Sequence, residues 1–360
     1  MSDSKTVHCW ELRAVREPLV QNTRQLDAPG PGQVVVRVAG CGVCHTDLGY
    51  AYEGVRPRHD LPLTLGHEIA GVVESAGEGG EDLVGRSVVV PAVIPCGDCE
   101  LCARGRGMIC KKQVFPGCDV HGGFASHVTV PANGLCVVDE QRLADSNVEL
   151  ADLGVLGDAV STAYQSIVRT ELREGDVAIV VGAGGVGGFC AQIARTFGAH
   201  VIALDIDEDK LARLAEQGVQ STICVRDLEP KAVRKQIRAY VKEHKLPATC
   251  WKIYECSGAA PGQRLAYGLL THGAALGVVG YTMDTVEVRL SNLMAFDAVA
   301  VGNWGCLPEH YPAVLDLVLD GKVEVGAFVE RVPMSKVNDT LDALHHGRLS
   351  KRPVLIPDFE

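Results

Sequence analysis

What this chain lacks narrows its function before any motif is read. No apolar run reaches the roughly 18 residues that suggest a membrane-spanning helix, so no bilayer-crossing segment is expected. There is no excess of positive charge: 34 Lys and Arg stand against 45 Asp and Glu, for a net charge of −11. Such a balance gives no global field to gather phosphate backbones, and nucleic acid is not an expected partner. The opening Met1-Ser2-Asp3-Ser4-Lys5 has neither the basic start nor the apolar core of a secretory leader, which makes a cytoplasmic location the expectation. Internal repeats and low-complexity stretches are missing too, so the chain reads as an ordinary globular one.

What it does have is apolar substance, 47% hydrophobic residues over a length of 360 that suits two cores. Up to about residue 155, short strands such as Val34–Val38 and Ser87–Val90 lie between glycine and proline punctuation, a β-rich pattern. From about 156 to 300, apolar strands alternate with longer amphipathic segments, as in a parallel α/β sheet. The change falls near a helix expected over Ala159–Arg169. Beyond 300 the pattern predicts helices around Pro308–Asp320 and Ser335–His346 and a last strand near Pro353–Ile356, without assigning them to either domain.

Fourteen cysteines in a chain able to build real cores point to metal rather than to disulfides. Cys96, Cys99, Cys102 and Cys110 follow C-x2-C-x2-C-x7-C, four thiolates for one tetrahedral zinc with no position left for substrate. A metal held in this way folds its lobe, about 95–112, and takes no direct part in chemistry. Arg104, Arg106, Lys111 and Lys112 stand in sequence where they could offset the surplus negative charge. Spacing alone does not exclude an iron–sulfur cluster here, although a second metal constellation favours zinc. Cys190, Cys224 and Cys250, among apolar neighbours, are expected to be buried reduced thiols.

That second constellation begins with Cys44 and His67, 23 positions apart, in Gly42-Val43-Cys44-His45-Thr46-Asp47 and Gly66-His67-Glu68. A thiolate and an imidazole beside glycines suit two loops closing on one metal. They need a third ligand.

A buried-strand run, Val177–Val181, leads into Gly182-Ala183-Gly184-Gly185-Val186-Gly187 and then a helical pattern through Phe197. In this frame Gly182 permits the tight turn, Gly184 lets the backbone approach a pyrophosphate, and Gly187 lets helix and strand pack closely. A second strand, His200–Leu204, ends in Asp205, placed to accept the adenosine-ribose hydroxyls and to repel a 2′-phosphate. Ile206 follows, where an NADP site might place an arginine, so NAD is the expected cofactor. The plainer alternative for Asp205 is a helix cap. Lys210 joins the cofactor set, as does Val279, whose strand end should lie near the nicotinamide.

Together and in this order, these motifs resemble the zinc-containing medium-chain alcohol dehydrogenases over nearly the whole chain. The resemblance implies an α/β protein with a parallel-sheet Rossmann domain, 159–300, between two parts of a β-rich GroES-like catalytic domain, 1–158 and 301–360. It implies two zinc ions per chain, a small-molecule alcohol as substrate and a homo-oligomer, dimer or tetramer. It also implies that Thr46 takes the alcohol proton, that Glu68 orients the site or transiently ligates zinc, and that Arg352 reaches the pyrophosphate. Many members carry a cysteine as third catalytic ligand; Asp158 stands at that position, in Leu156-Gly157-Asp158-Ala159. Its carboxylate keeps the site near neutral, and a helix cap is the alternative role. Gly49 stands where a proton-relaying histidine is often found, leaving Tyr50, His45, His59 or water for proton exit.

The chain as a whole also looks like the 6-hydroxycyclohex-1-ene-1-carbonyl-CoA dehydrogenase branch of that family, which belongs to anaerobic aromatic degradation. This implies oxidation of a ring alcohol carried as a CoA thioester. Arg56 and Arg58, in a basic segment of an acidic protein, suit its phosphates. The product would be a β-oxo thioester conjugated to an alkene, an electrophile that the same zinc could activate toward water in a second, hydrating or hydrolytic step. A generic short or cyclic alcohol dehydrogenase is one alternative, and a zinc-binding relative without catalysis is another.

Overall fold

A computed structural model describes residues 5–359. The chain divides into two compact units. The first runs to Ser161 and takes in Gly305–Gly321 and the chain from Phe328 onward; the second holds Thr162–Trp304 and Lys322–Ala327.

The first unit is built on a mostly antiparallel sheet, with Val329–Pro333 and Arg352–Ile356 paired in parallel, whose central strand, Gln33–Gly42, is apolar nearly throughout. Its Val34, Val36 and Val38 enter a core with Ile69, Val73, Val88, Val90, Val128 and Leu355. Across the sheet the order is Val329–Pro333, Arg352–Ile356, Gln33–Gly42, Glu68–Ala76, Ser87–Val90 and Cys136–Val137, and His127–Pro131 also pairs with Gln33–Gly42. The register decides where the chemistry sits: Gly42 lies opposite Glu68. Cys44 follows the end of one strand and His67 precedes the start of the other, so antiparallel pairing brings together two residues far apart in sequence. Ser87–Val90 pairs beside Glu68–Ala76, and the 3₁₀ segment Leu150–Gly157 is almost wholly buried in this unit.

The second unit is a six-stranded parallel sheet in the order Ser221–Cys224, His200–Asp205, Val177–Val181, Lys252–Glu255, Ala275–Val278, Val299–Gly302. The strand order reverses beside Val177–Val181, the topological switch point at which doubly wound sheets bind ligands. Val177, Ile179, Val181, Ile202 and Leu204 pack with Val233, Ile237 and Trp251 into its core.

Three expectations need correction. The segment 322–327 was expected with the catalytic part, but it packs in the second unit, where Glu324 N–H donates to Gln192 Oε1 at 2.7 Å. Cys224, on the edge strand, is only partly buried, and Cys250 is exposed in a loop; Cys190 is buried. Apolar sequence neighbours do not bury a residue that lies at a sheet edge or in a turn. Among the described residues no helix is long and apolar enough to cross a membrane.

Candidate active site and metal centres

Cys44, His67 and Asp158 each offer one ligand atom, and these atoms lie within 4.8 Å of one another. Cys44 Sγ is 3.7 Å from Asp158 Oδ2, and His67 Nε2 is 3.6 Å from the same oxygen. Bond lengths of about 2.0–2.3 Å to a tetrahedral zinc separate its ligand atoms by about 3.3–3.8 Å. Both ring nitrogens of the fully buried His67 lack a hydrogen-bond partner, an expensive arrangement that a metal on Nε2 relieves. Zinc therefore fits this donor set of one thiolate, one imidazole and one carboxylate, with three protein ligands and a fourth position to spare. The Phe115 ring, 5.1 Å from that of His67, supplies an apolar wall.

Asp47, quoted in the Cys44 motif but assigned no role, holds the two ligand loops together. Fully buried, it accepts the Cys44 N–H on Oδ2 at 2.9 Å and the Gly66 N–H on Oδ1 at 3.1 Å. Its Oδ1 lies 3.6 Å from His67 Nδ1, the place from which a carboxylate orients a metal-binding imidazole. The C-x-x-D spacing, a capping box at the start of the short helix His45–Leu48, was the signal that marked it.

Glu68 is not in the ligand cluster. Its carboxylate accepts Arg352 Nε on Oε2 and Arg352 Nη2 on Oε1, each at 2.7 Å, and the Ala159 N–H on Oε1 at 2.9 Å. Burial pushes the Glu68 carboxyl up and Arg352 pulls it back; burial works against the Arg352 charge, and Glu68 outweighs it, holding the guanidinium protonated. Gly42 makes room for this pair, since a Cβ there would stand 2.0 Å from Glu68 Oε2. Two of the Arg352 donors expected at a pyrophosphate are thus engaged on Glu68.

Thr46, partly exposed, places Oγ1 3.7 Å from Cys44 Sγ. Tyr50 is buried, and burial and then the Cys118 thiol push its phenol up, so it holds its proton. His45 is exposed and His59 partly so. Arg58 is ion-paired with Asp119, Nη2 donating to Oδ2 at 2.6 Å, whereas Arg56 is exposed and without an ion pair among the described residues.

The four-cysteine lobe is nearly bare of regular structure, with one helical turn, Glu100–Ala103, and a 3₁₀ turn, Gly107–Ile109. Its sulfurs lie 3.4–3.6 Å apart between Cys99 and Cys102, Cys99 and Cys110, and Cys110 and Cys96. That is too far for a disulfide and close to the edge of a zinc tetrathiolate. The expected charge compensation is corrected in part: Arg104 pairs with Glu100 and Lys112 with Asp98, while the Lys112 backbone N–H donates to Cys110 Sγ at 3.3 Å.

In the second unit the glycine turn carries three different constraints. Gly182 has φ +96°; a Cβ on Gly187 would stand 1.7 Å from Gly182 O; a Cβ on Gly184 would meet nothing within 4 Å. Space at Gly184, which caps the N-terminus of the helix Gly185–Thr196, is the cradle a pyrophosphate needs. Asp205 Oδ2 accepts the Ala183 N–H at 2.5 Å and Oδ1 the Asp207 N–H at 2.9 Å, which fixes the carboxylate beside the turn. The helix cap is Asp207, which accepts the N–H groups of Asp209 and Lys210, and Lys210 Nζ lies 3.8 Å from Asp207. Val279, partly buried, donates its N–H to Glu255 O at 3.0 Å.

Fold and sites together define a zinc-dependent dehydrogenase, an oxidoreductase acting on CH–OH groups with zinc and NAD(P) as cofactors. Residues 30–140 match the alcohol dehydrogenase GroES-like domain, and 185–320 match the zinc-binding dehydrogenase domain. The chain is 33% identical to 2-dehydro-3-deoxy-L-galactonate 5-dehydrogenase of Pseudoalteromonas atlantica, covering 85% of each chain. It is 27% identical to an alcohol dehydrogenase of Geobacillus stearothermophilus over 91% of this chain and 93% of that one. The crystal structure of the alcohol dehydrogenase of Aeropyrum pernix superposes with a TM-score of 0.83 at 27% identity, covering 97% of this chain and all of that one. The chain belongs to the zinc-containing medium-chain alcohol dehydrogenase family.

Proposed function

We propose that the protein oxidises a secondary ring alcohol carried as a CoA thioester, 6-hydroxycyclohex-1-ene-1-carbonyl-CoA, to the 6-oxo compound with NAD+ as hydride acceptor, and reduces the ketone in reverse. The observation that carries the dehydrogenase chemistry is the convergence of Cys44, His67 and Asp158 on one point with a fourth position to spare. Zinc held by Cys44, His67 and Asp158 would supply Lewis acidity toward an alcohol oxygen, and NAD+ held at the glycine turn would supply the hydride acceptor. Asp47 keeps the His67 ring in line, and the Thr46 hydroxyl receives the alcohol proton and passes it toward solvent past the exposed His45 or by water. Gly182, Gly184 and Gly187 seat the pyrophosphate, Asp205 the adenosine ribose, and Lys210 and Val279 line the same cofactor; Arg352 contributes from its pair with Glu68. NAD rather than NADP is supported by the Asp205 carboxylate, which repels a 2′-phosphate, and by Ile206 after it, 59% exposed; Arg226, whose Nε donates to Ile206 O at 2.9 Å, is the cation beside this position.

The CoA thioester is supported by the overall likeness to that branch and by Arg56, whose guanidinium is open to a phosphate. A second reading, oxidation of a free cyclic or polyol-like alcohol, is favoured by the engagement of Arg58 on Asp119. NAD reduction at 340 nm, with 6-hydroxycyclohex-1-ene-1-carbonyl-CoA against the free acid, cyclohexanol and aldonic acids, decides between them. A kcat/KM for the thioester at or below that of a free alcohol refutes the first reading. Hydration or hydrolysis of the oxo-thioester by the same zinc belongs to the proposal, and an oxo-thioester left unchanged by enzyme without NAD removes it.

A homo-oligomer, dimer or tetramer, is part of the same reading. Val299–Gly302 is an edge strand, and around it Leu290, Met294 and Val299 are 70%, 78% and 54% exposed. Such an edge is covered when a copy of the strand pairs with it across a two-fold axis.

A further inference from the structure

Asp158 lies at a joint: it closes the 3₁₀ segment Leu150–Gly157, and the helix Ala159–Arg169 begins with the next residue. With φ −138° and ψ −64° it belongs to the ladder of neither, so other contacts must fix the direction from which its side chain leaves. Four hydrogen bonds surround the joint. Gly157 O accepts the Ala92 N–H at 3.0 Å and the Tyr311 hydroxyl at 2.5 Å. Asp158 O accepts the Ser161 hydroxyl at 3.2 Å, and Ala159 N–H donates to Glu68. Ser161 Oγ is also 3.2 Å from the Tyr311 hydroxyl oxygen; with the Tyr311 proton on Gly157 O, the single Ser161 proton is shared between that oxygen and Asp158 O. One phenol thus ties the residue before the ligand to the residue three places after it.

Tyr311 is 1% exposed, and a phenylalanine would fill nearly the same volume. What the hydroxyl adds is the tie. The far end of the segment is clamped as well: Arg331 donates to both Asp152 oxygens, at 2.8 and 2.6 Å. Both anchors come from the part of the chain that returns to the first unit after residue 304.

We propose that Tyr311 is a positioning residue for the catalytic metal: through Gly157 O and Ser161 Oγ its hydroxyl fixes the joint from which Asp158 reaches the Cys44–His67 pair. The proposal rests on Asp158 being a metal ligand. Tyr311→Phe keeps the ring and removes the tie, and Ser161→Ala cuts it from the other side, which serves should the first variant not fold. The measurement is the Kd for metal at this site, from zinc release to a graded chelator and from the absorption bands of the Co2+-exchanged protein. Contacts behind a ligand typically govern affinity about 10- to 100-fold, so weakening of about tenfold is expected, with the four-cysteine zinc retained. Binding within about twofold of wild type overturns the positioning role, and so does equal loss from both metal sites, the mark of general loosening. Asp158→Ala run in parallel separates the two levels. If it keeps both metals, the ligand assignment falls and the proposal with it. If it loses one while Tyr311→Phe and Ser161→Ala bind as wild type does, only the positioning role falls.

Discussion

Replacing Arg352 by methionine removes a guanidinium from a pair whose side chains are 8% and 0% exposed and leaves the Glu68 carboxylate without its counter-charge. The ion pair is bidentate, with both contacts at 2.7 Å. Breaking such a pair from one side costs about 3–5 kcal/mol, because the remaining charge stays buried. In a unit of about 150–250 residues each kcal/mol moves the melting temperature by about 2–4 °C, so Arg352→Met is expected to melt on the order of 10 °C lower. Glu68→Gln added to it removes the stranded charge and keeps an acceptor for the Ala159 N–H. The double variant is therefore expected to recover at least half of the loss. Calorimetry on the metal-loaded proteins reads both numbers. If Arg352→Met melts within about 2 °C of wild type, or the double variant melts no higher than the single one, the pair is not the source of stability argued here. The double variant, with much of its stability restored, tests the pyrophosphate role separately, since loss of a cofactor contact raises the KM for NAD.

The glycine turn yields a contrast: Gly187→Ala should lower the melting temperature, its Cβ having no room beside Gly182 O, whereas Gly184→Val should fold normally and lose NAD affinity, measured by NADH fluorescence titration. Equal behaviour of the two would refute the assignment of separate roles. Asp205→Ala should raise the KM for NAD several-fold with kcat little changed, and an unchanged KM would count against the ribose contact. His121, whose Nδ1 accepts the Thr64 N–H at 3.2 Å, is held down to about 4 by burial and then by Arg24 and His59. The unfolded chain takes up this proton near pH 6.5 and the folded one only near 4, so stability should fall as pH drops through that interval. His121→Asn should flatten this part of a pH–melting profile, and an unaltered slope would exclude His121 as its source.

The helix Ala159–Arg169 and the strands Ser87–Val90 and Val177–Val181 were legible in the sequence to the residue because their signals are local: an amphipathic period, or an apolar run between turn residues. The glycine turn was legible for the same reason, since strand, turn and helix follow one another within a short stretch. Partners of charged groups were not. Glu68 and Arg352 are 284 positions apart, Arg58 and Asp119 are 61, and no periodicity joins them. Each of those arginines was read toward an external anion, and the internal carboxylate that the fold also brings to it could not be seen.

The metal site divides along the same line. Cys44 and His67 flank paired strands, so their meeting follows from register, and chemistry beside glycine was enough to nominate them. Asp158 is carried on neither strand. It was found only through resemblance to a family whose ligand there is often cysteine, and its placement depends on Tyr311, Ser161, Glu68 and, at the far end of the segment, Arg331. An aspartate carboxylate stands one atom further from its backbone than a cysteine sulfur and turns about one more bond, so exchanging the thiolate for it leaves the aim of the ligand more dependent on the joint behind it. In this protein the chain's return after residue 304 meets that demand, which makes those closing elements part of the metal site although none of their residues belongs to the ligand cluster.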